Sequence, residues 1–499
     1  MTKPPASIII LGGGTAGWMT ANLLHRRWGS HGTKVTLIES SDIGIVGVGE
    51  GSTPQLKAFF DELGIDESEW MPRCNATYKA GIEFAGWSQR PGSERYFHPF
   101  PTDVDGFTQP QFFYATRARR TGRDVPAHPD PFFVPTRIAR EGRAPLAPAN
   151  FPFFVSYGYH FDAHLIGAFL REFGTARGIA HVEARIASVE LGEQGDVKAL
   201  VADDGRRFEA DFLVDASGFR AVIIEGALKE PHRSFAGNLF NDRAVVAPTA
   251  HAPSGFQACT RSIAKRAGWI WQIPLTNRMG NGYVYSSRYL DEADAAAELR
   301  EHLGLDDNAE LRHLKMKCGR IERSWVRNCL AVGLAQGFLE PLEATALHIV
   351  LATVNAFMDA WDADRRDTFN AAIARRYEGI RDYLVCHYRT ALRDDTDYWR
   401  DAARLDALSD SLKAIITAWF TGADLEEEIH RQGIADIYSP VSWHCMLAGY
   451  GNFPDEAQLK PPGPDISRID MGRIEWFVGG CATNFPSNAE ALGHLKEVA

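Results

Sequence analysis

The 499-residue sequence lacks the features that mark several large classes of protein. It contains no apolar run of about 18 residues, the length that a transmembrane helix needs, and its N-terminus shows no signal-peptide pattern. Basic residues do not predominate: 53 lysines and arginines stand against 64 acidic residues, which gives a net charge of −11. Such a charge argues against non-specific binding of nucleic acid or of an anionic membrane surface. We therefore expect a cytoplasmic protein with no nucleic-acid or membrane partner.

Cysteine is also scarce and irregularly spaced. The seven cysteines, scattered between Cys74 and Cys481, include no CxxC pair and predict neither a disulfide framework nor a metal site. Internal repeats and low-complexity linkers are missing as well. The remaining composition is that of an ordinary globular protein, 45% hydrophobic and 23% charged, and the chain is long enough for two or three domains.

The segment IIILGGGTAGWM, residues 8–19, is the most informative stretch. Its apolar run predicts a buried strand, its glycines a tight turn, and the residues after Gly17 a helix. Such a turn lets the backbone approach a pyrophosphate, while the helix N-terminus supplies N–H groups and positive charge. Glu39 ends the next apolar strand, where an acid that binds ribose hydroxyls is expected. The segment therefore predicts a dinucleotide site, and the alternative is an ordinary tight turn.

Other segments have a composition that suits a ligand-binding or substrate site. Residues 43–54 combine glycines with apolar side chains, which suits a backbone lying close to a flat ligand. In YKAGIEF, residues 78–84, Lys79 is the only cation of a predicted strand, and taken alone it indicates an ordinary surface lysine. Residues 87–154, rich in proline and aromatic residues, predict long ordered loops of the kind that form substrate sites.

Further along the chain, Trp269 and Trp271 in GWIWQIP share one face of a predicted strand, which on composition alone indicates a packed sheet face. Residues 330–348 predict a strand, a glycine turn and a helix that starts near Glu343. The helical pattern continues to about Phe420. We expect the aromatic segment 438–444 to return to the substrate site.

In this order, the motifs GGGTAGWM, GVGE at residues 47–50, YKAGIEF, GWIWQIP and GLAQGFLEPLEAT resemble the flavin-dependent tryptophan halogenase family. The resemblance runs from residue 8 to about residue 454. It implies an α/β, FAD monooxygenase-like fold with a Rossmann-type GxGxxG motif. We expect residues 1–350 to bind FAD and to contain substrate-site loops (about 87–155) and a β-sheet region (about 240–330). Residues 351–499 would form a mainly helical part that completes the substrate site.

The resemblance also implies roles for individual residues. Those assigned to FAD binding are Gly12, Gly14, Thr15, Ala16, Gly17, Glu39, Gly49, Glu50, Leu334 and Leu347, with the GVGE loop near the isoalloxazine. A separate flavin reductase would supply FADH2, and O2 with chloride or bromide would yield hypohalous acid, which passes to Lys79. The lysine would act by hydrogen bonding or as a haloamine, and both routes stay open. Glu343 would stabilise the cationic intermediate of aromatic substitution and take its proton.

By the same resemblance, Thr345 and Ala346 would bind halide, while His98 and Phe100 would sandwich an indole ring. The alternative for His98 and Phe100 is a packed aromatic loop. Trp269 and Trp271 would form a wall between flavin and substrate, or serve a structural role. A homodimer is a common arrangement in the family, although no feature of this sequence requires one.

Substrate and reaction class leave alternatives open at this point. The sequence shows no obvious charged cluster for the zwitterion of free tryptophan, so an indole or another electron-rich aromatic fits at least as well. An aromatic monooxygenase of the same fold would transfer oxygen directly from the flavin and need no halide. A non-catalytic flavin-binding protein is the other alternative. Lys79 and the WxWxIP motif favour the halogenase.

The halide preference follows from a departure from the family pattern. Relatives usually read PLESTG where this chain reads PLEATA, so Ala344 lacks a hydroxyl beside Glu343 and Ala346 replaces a glycine at the expected halide site. Since bromide is easier to oxidise than chloride, we expect bromide to be used at least as well as chloride. Mass spectrometry of products formed in an equal mixture of the two halides tests this. An exclusively chlorinated product would contradict it.

Overall fold

A six-stranded sheet built on the N-terminal apolar run carries the glycine motif. The computed structural model describes residues 3–42, 49–251, 255–462 and 469–498. Strands and helices are numbered in chain order. The strands of this sheet, in spatial order, are β20 (Trp325–Val326), β21 (Cys329–Ala331), β12 (Phe212–Asp215), β1 (Ser7–Leu11), β2 (Lys34–Glu39) and β8 (Ala180–Glu183). All neighbours are parallel except β20 and β21, so the carboxyl ends of β1, β2, β12 and β21 meet at one edge.

A seven-stranded sheet forms the second large layer. In spatial order it contains β18 (Arg312–Lys315), β14 (Arg243–Thr249), β17 (Met279–Tyr285), β16 (Gly268–Pro274), β15 (Cys259–Lys265), β5 (Gly81–Ala85) and β6 (Arg95–Pro99). Neighbouring strands of this sheet are antiparallel, except that β15 and β5 are parallel. The predicted strand with Trp269 and Trp271 is confirmed as β16, which pairs with β17.

Three small sheets complete the β-structure of the described residues. The first contains β3 (Gly49–Gly51), β7 (Gly158–Asp162) and β4 (Thr77–Lys79); the second β9 (Ile186–Leu191), β10 (Val197–Ala202) and β11 (Arg207–Phe208); the third β13 (His232–Ser234), β19 (Gly319–Ile321) and β22 (Gly337–Phe338). The first of them matters most for function because β3 and β4 flank the same strand, β7.

Helices cover the sheets and dominate the C-terminal third. The N-terminal helices are α1 (Thr15–Trp28), α2 (Gln55–Leu63), α3 (Glu67–Trp70), α4 (Gln109–Arg120), α5 (Val134–Arg140), α6 (Ala163–Thr175) and α7 (Glu292–Leu303). The later ones are α8 (Ala346–Asp362), α9 (Arg366–Thr390), α10 (Asp397–Ala403), α11 (Asp410–Thr421), α12 (Leu425–Gln432), α13 (Pro440–Gly449), α14 (Met471–Ala482) and α15 (Asn488–Val498). Within the described ranges, no helix has both the length and the apolar character needed to cross a membrane.

The predicted strand over residues 78–84 is in fact two strands in different sheets. The chain passes from β4 to β5 at Ala80, whose N–H donates to the carbonyl of Ala258 at 2.7 Å. At the next residue, a β-carbon on Gly81 would come within 2.2 Å of the carbonyl oxygen of His98, so the close approach of β6 requires glycine there. Lys79 is therefore the last residue of β4, at the junction of two sheets.

The prediction of long loops over residues 87–154 is wrong in part, because β6, α4 and α5 lie within this region. The buried Asp105 carboxylate accepts N–H bonds from Thr102 and Val134, both at 2.8 Å, and so ties the segments together. The predicted helix start near Glu343 was also too early, because α8 begins at Ala346.

Candidate active site

The glycine turn after β1 requires glycine at two positions and leaves a third open. Gly12 has φ +119°, and a β-carbon there would lie 2.2 Å from the carbonyl oxygen of Ala216. A β-carbon on Gly17 would lie 1.9 Å from the carbonyl oxygen of Gly12. Gly14, the N-cap of α1, has no atom within 4 Å of its β-carbon position. The tight turn thus presents an open helix N-terminus, the arrangement that binds a pyrophosphate.

Glu39 stands beside this turn, at the carboxyl end of β2. A β-carbon on Gly13 would collide with its Oε2 at 1.6 Å, so the carboxylate lies directly against the glycines. Its buried Oε1 is 2.8 Å from His181 Nε2 but in an alignment that makes no hydrogen bond. A buried acceptor that has no hydrogen-bond partner among the described residues, next to an open glycine turn, fits a ribose hydroxyl.

Other predicted FAD contacts also lie at or near this sheet edge. The 3-10 turn that contains Leu334 follows β21, and a β-carbon on Gly333 would lie 2.8 Å from that of Ala16 in the glycine turn. Leu347 is buried in the first turn of α8, which packs beside the same 3-10 turn. Thr15 begins α1 and donates its hydroxyl to the carbonyl of Ala163 at 3.3 Å. These positions are compatible with their predicted roles.

The GVGE loop is described only in its second half. Gly47 and Val48 lie outside the described residues, whereas Gly49 and Glu50 form β3 opposite Asp162 and Phe161. Burial, with a smaller contribution from the charge of Asp162, raises the pKa of Glu50 to about 7.

Lys79 is fully buried, contrary to the interpretation as a surface lysine. Within the described part of the chain its Nζ has no hydrogen-bond partner, and it lies 5.4 Å from the centre of the Phe100 ring. Burial lowers the pKa of Lys79 to about 8, while the charges of Glu343 and Cys259 oppose the shift. A cation held without a hydrogen bond and close to an aromatic face is free to donate to a small acceptor.

Glu343 provides the buried carboxylate of the site. Its Oε1 lies 2.9 Å from His387 Nε2, although the two groups are not aligned as a hydrogen bond. Burial lowers the pKa of His387 to about 3, and its Nδ1 forms a 2.7 Å hydrogen bond with the hydroxyl of Tyr450. Burial raises the pKa of Glu343, and the charges of His98 and Lys79 oppose that shift. Glu343 is thus a more basic carboxylate than usual, beside a neutral histidine.

An aromatic enclosure surrounds this carboxylate. The ring of Tyr383 contacts His98 edge-on at 6.3 Å, stacks on Tyr438 at 3.6 Å and meets Trp443 edge-on at 4.8 Å. The prediction that residues 438–444 return to the site agrees with this packing, and the charge of Glu343 affects the pKa of Tyr438. Sequence reasoning missed Tyr383 and His387, whose spacing on one face of α9 was their only signal.

Several buried polar atoms of the enclosure have no hydrogen-bond partner in the described residues: Lys79 Nζ, Tyr96 Oη, His98 Nδ1, Tyr438 Oη and Trp443 Nε1. Buried polar groups in folded proteins are nearly always paired. A cluster of exceptions around one carboxylate therefore indicates a place where ligands supply the missing partners.

The tryptophan pair and the predicted halide residues flank this region. Trp269 and Trp271 lie with ring centres 6.2 Å apart, and Trp269 Nε1 donates to the buried Glu340 at 3.2 Å. Thr345 is the buried N-cap of α8, and Ala346 is its exposed first residue. The free N–H groups of such a helix start attract anions.

Comparison with known proteins places the chain among one group of enzymes. A family model described as tryptophan halogenase matches residues 7–460. The chain is similar to a tryptophan 6-halogenase of Streptomyces toxytricini, with 37% identity over 95% of this chain and 94% of the relative. It is also similar to a tryptophan 7-halogenase of Lentzea aerocolonigenes, with 34% identity over 93% and 92%.

Among solved structures, BrvH, a flavin-dependent halogenase from Brevundimonas sp. BAL3, matches with a TM-score of 0.84 and 32% identity. The match covers 99% of each chain. The predicted mixed α/β fold with a helical C-terminal part is thereby confirmed. The comparisons favour the halogenase over the monooxygenase and over the non-catalytic flavin-binding protein.

The geometry of the glycine turn yields a prediction about cofactor affinity. Gly14→Val places a side chain at the N-terminus of α1, where we expect the pyrophosphate, and its β-carbon would have no atom of the described residues within 4 Å. We expect FAD affinity to fall about tenfold or more, or roughly 1.4 kcal/mol, while the melting temperature of the flavin-free protein stays unchanged. Fluorescence titration with FAD and thermal unfolding measure the two effects. Unchanged FAD affinity would contradict the assignment.

Proposed function

The chain belongs to the tryptophan halogenase family, and we propose that it halogenates an indole-type aromatic through Lys79 and Glu343. As a member it is a flavin-dependent halogenase that requires FAD, O2 and a halide. The observation that carries the proposal is the buried pair of Lys79 and Glu343 within an aromatic enclosure of unpartnered polar atoms. A separate flavin reductase as the source of FADH2 is part of the proposal.

The residues of the sheet edge fit FAD. The glycine turn and the N-terminus of α1 would hold the pyrophosphate, and Glu39 would accept from a ribose hydroxyl. When bound, reduced FAD supplies, with O2, the oxidation of halide to hypohalous acid. The hydroxyl of Thr345 and the first N–H groups of α8, starting at Ala346, would hold the halide.

Lys79 would activate the hypohalous acid as a hydrogen-bond donor. With a pKa of about 8 the side chain is mainly an ammonium at neutral pH, which supports hydrogen bonding over a haloamine, since that route needs the free amine. An aromatic carbon attacks the halogen, the oxygen–halogen bond breaks, and the oxygen takes a proton from the ammonium to leave as water. Glu343 then accepts the ring proton, for which its raised pKa is suited. Proton return from Glu343 to Lys79 closes the cycle.

The aromatic enclosure supports an indole-type substrate. His98 and Phe100, two residues apart on one side of the chain, would hold the ring between them, and unpartnered donors such as Trp443 Nε1 remain for substrate groups. The named relatives halogenate position 6 or position 7 of tryptophan, so family membership alone does not fix the position attacked.

Replacement of the lysine tests the proposed function. We expect native protein with a flavin reductase, FAD, NADH and bromide to give brominated indole or tryptophan by mass spectrometry, and Lys79→Met to give none while FADH2 oxidation continues. The ammonium does not stabilise the fold: its pKa falls from the ordinary value of 10.5 to about 8, so stability rises with pH between those values. The melting temperature of Lys79→Met at pH 7 should therefore not decrease.

Product formation and melting temperature, measured on the same variant, separate a functional lysine from a structural one. A halide-independent gain of one oxygen in the product would mean a monooxygenase. Product formation by Lys79→Met at the native rate would remove the lysine from the mechanism.

Gly51 gives a second test, at the flavin side of the lysine. A β-carbon there would lie 3.1 Å from Thr260 Oγ1 and 3.2 Å from Lys79 Nζ, closer than side chains normally tolerate, and the strand backbone itself accepts alanine. We expect Gly51→Ala to crowd both groups and to lower halogenated product per FADH2 oxidised severalfold, measured by mass spectrometry and flavin absorbance.

A matched control exists in α14, where Gly479→Ala meets no atom within 4 Å. This variant should retain native product yield per FADH2. An equal loss in both variants would show that the effect of Gly51→Ala is not local to Lys79.

A further inference from the structure

A chain of three buried side chains lies beside Lys79. Thr77 Oγ1 is 3.0 Å from His160 Nδ1, and His160 Nε2 is 3.0 Å from Thr260 Oγ1. Thr77 and Thr260 belong to different sheets, and His160 on β7 bridges them. The chain is anchored at one end, because Thr77 donates its hydroxyl to the carbonyl of Pro274 at 2.7 Å.

The hydrogen bond to Pro274 determines which atom donates and which accepts in each contact of the Thr77–His160–Thr260 series. Because the Thr77 hydroxyl proton goes to Pro274, Thr77 Oγ1 must accept from His160 Nδ1–H. Burial and the nearby charge of Lys79 hold the pKa of His160 well below its ordinary value, so the ring is neutral. Its Nε2 is then an acceptor, and Thr260 donates its hydroxyl proton to it. The free lone pairs of Thr260 Oγ1 remain available on the other side.

The Thr260 hydroxyl lies in the neighbourhood of the lysine. A β-carbon on Gly51 would lie 3.1 Å from Thr260 Oγ1 and 3.2 Å from Lys79 Nζ, so both atoms approach Gly51. Lys79 Nζ nevertheless has no hydrogen-bond partner in the described residues. A donor-only ammonium and an acceptor-only hydroxyl thus lie beside the same glycine without a hydrogen bond between them.

We propose that Thr260 is a second anchor for hypohalous acid, with Lys79 donating to its oxygen and Thr260 accepting its O–H. His160 and Thr77 are positioning residues that keep the Thr260 hydroxyl in the accepting orientation. This inference rests on the proposed function. With both ends of the O–H group held, only the halogen is free to face the aromatic ring. In the transfer, the oxygen–halogen bond breaks toward the ring carbon and the oxygen leaves as water with a proton from Lys79, while Thr260 exchanges no proton.

The test measures where the oxidised halide goes. Reactions contain a flavin reductase, FAD, NADH, bromide and indole, with monochlorodimedone in solution to trap hypobromous acid that escapes. In Thr260→Val we expect bromoindole per FADH2 to fall about tenfold and bromination of the dione to rise, with FADH2 oxidation at the native rate. Thr260→Ser keeps the hydroxyl and should stay within about twofold of native. If valine prevents folding, Thr260→Ala is expected to give the same result.

Thr116 and His444 provide the structural control. Their buried contact, 2.8 Å between Thr116 Oγ1 and His444 Nδ1, resembles the Thr260–His160 contact and lies between α4 and α13. Thr116→Val should lower the melting temperature comparably without increasing dione bromination. If folded Thr260→Val distributes bromine between indole and the dione as the native protein does, the inference is overturned and the proposed function stands. A native protein that brominates neither molecule would overturn the proposed function and the inference with it.

Discussion

Desolvation of a lysine and a carboxylate is the constraint on which the site depends. Lys79 and Glu343 are both buried, and burial shifts the pKa of each toward its neutral form. A buried charge is tolerated only where neighbouring charges and dipoles compensate it. The charge of each opposes the pKa shift of the other, and the charge of His98 adds to that of Lys79 in opposing the shift of Glu343. The lysine N–H groups, which have no hydrogen-bond partner in the described residues, remain available for a small oxidant.

The small sheet of β3, β7 and β4 positions the lysine. Its first strand begins at Gly49, the strand at its other edge ends at Lys79, and β7 joins them. On its opposite face, one carboxylate joins three tyrosines. Glu67 accepts hydrogen bonds from the hydroxyls of Tyr78, Tyr157 and Tyr159, at 2.8, 2.8 and 2.6 Å. Three charge-assisted hydrogen bonds on one acid resist shear between the strands. Lys79 therefore stands at the end of a strand that is held firmly against β7.

The local sequence pattern predicted those parts of the molecule whose conformation depends on residues close together in the sequence. The glycine turn and the strand with Trp269 and Trp271 follow from short-range geometry, and each was found in place. The enclosure could not be predicted in this way. His387 and Tyr383 lie on a helix whose apolar and polar residues alone give no reason to select them, and their proximity to Glu343 arises from tertiary packing. The break at Ala80 likewise depends on a distant residue. The N–H of Ala80 donates to the carbonyl of Ala258, which directly precedes β15 and lies 178 residues further along the chain.

The turn that carries Glu343 shows how the departure from the family motif is accommodated. Ala344 has φ +54° and ψ +36°, a left-handed conformation that costs a residue with a β-carbon about 1 kcal/mol. The turn is closed by the N–H of Ala344, which donates to the carbonyl of Pro341 at 3.1 Å, and Glu343 and Thr345 on either side are buried. Ala346 lies in the ordinary helical conformation at the start of α8, where glycine is not required. The position of the carboxylate is therefore determined by a backbone turn that needs no hydroxyl at residue 344.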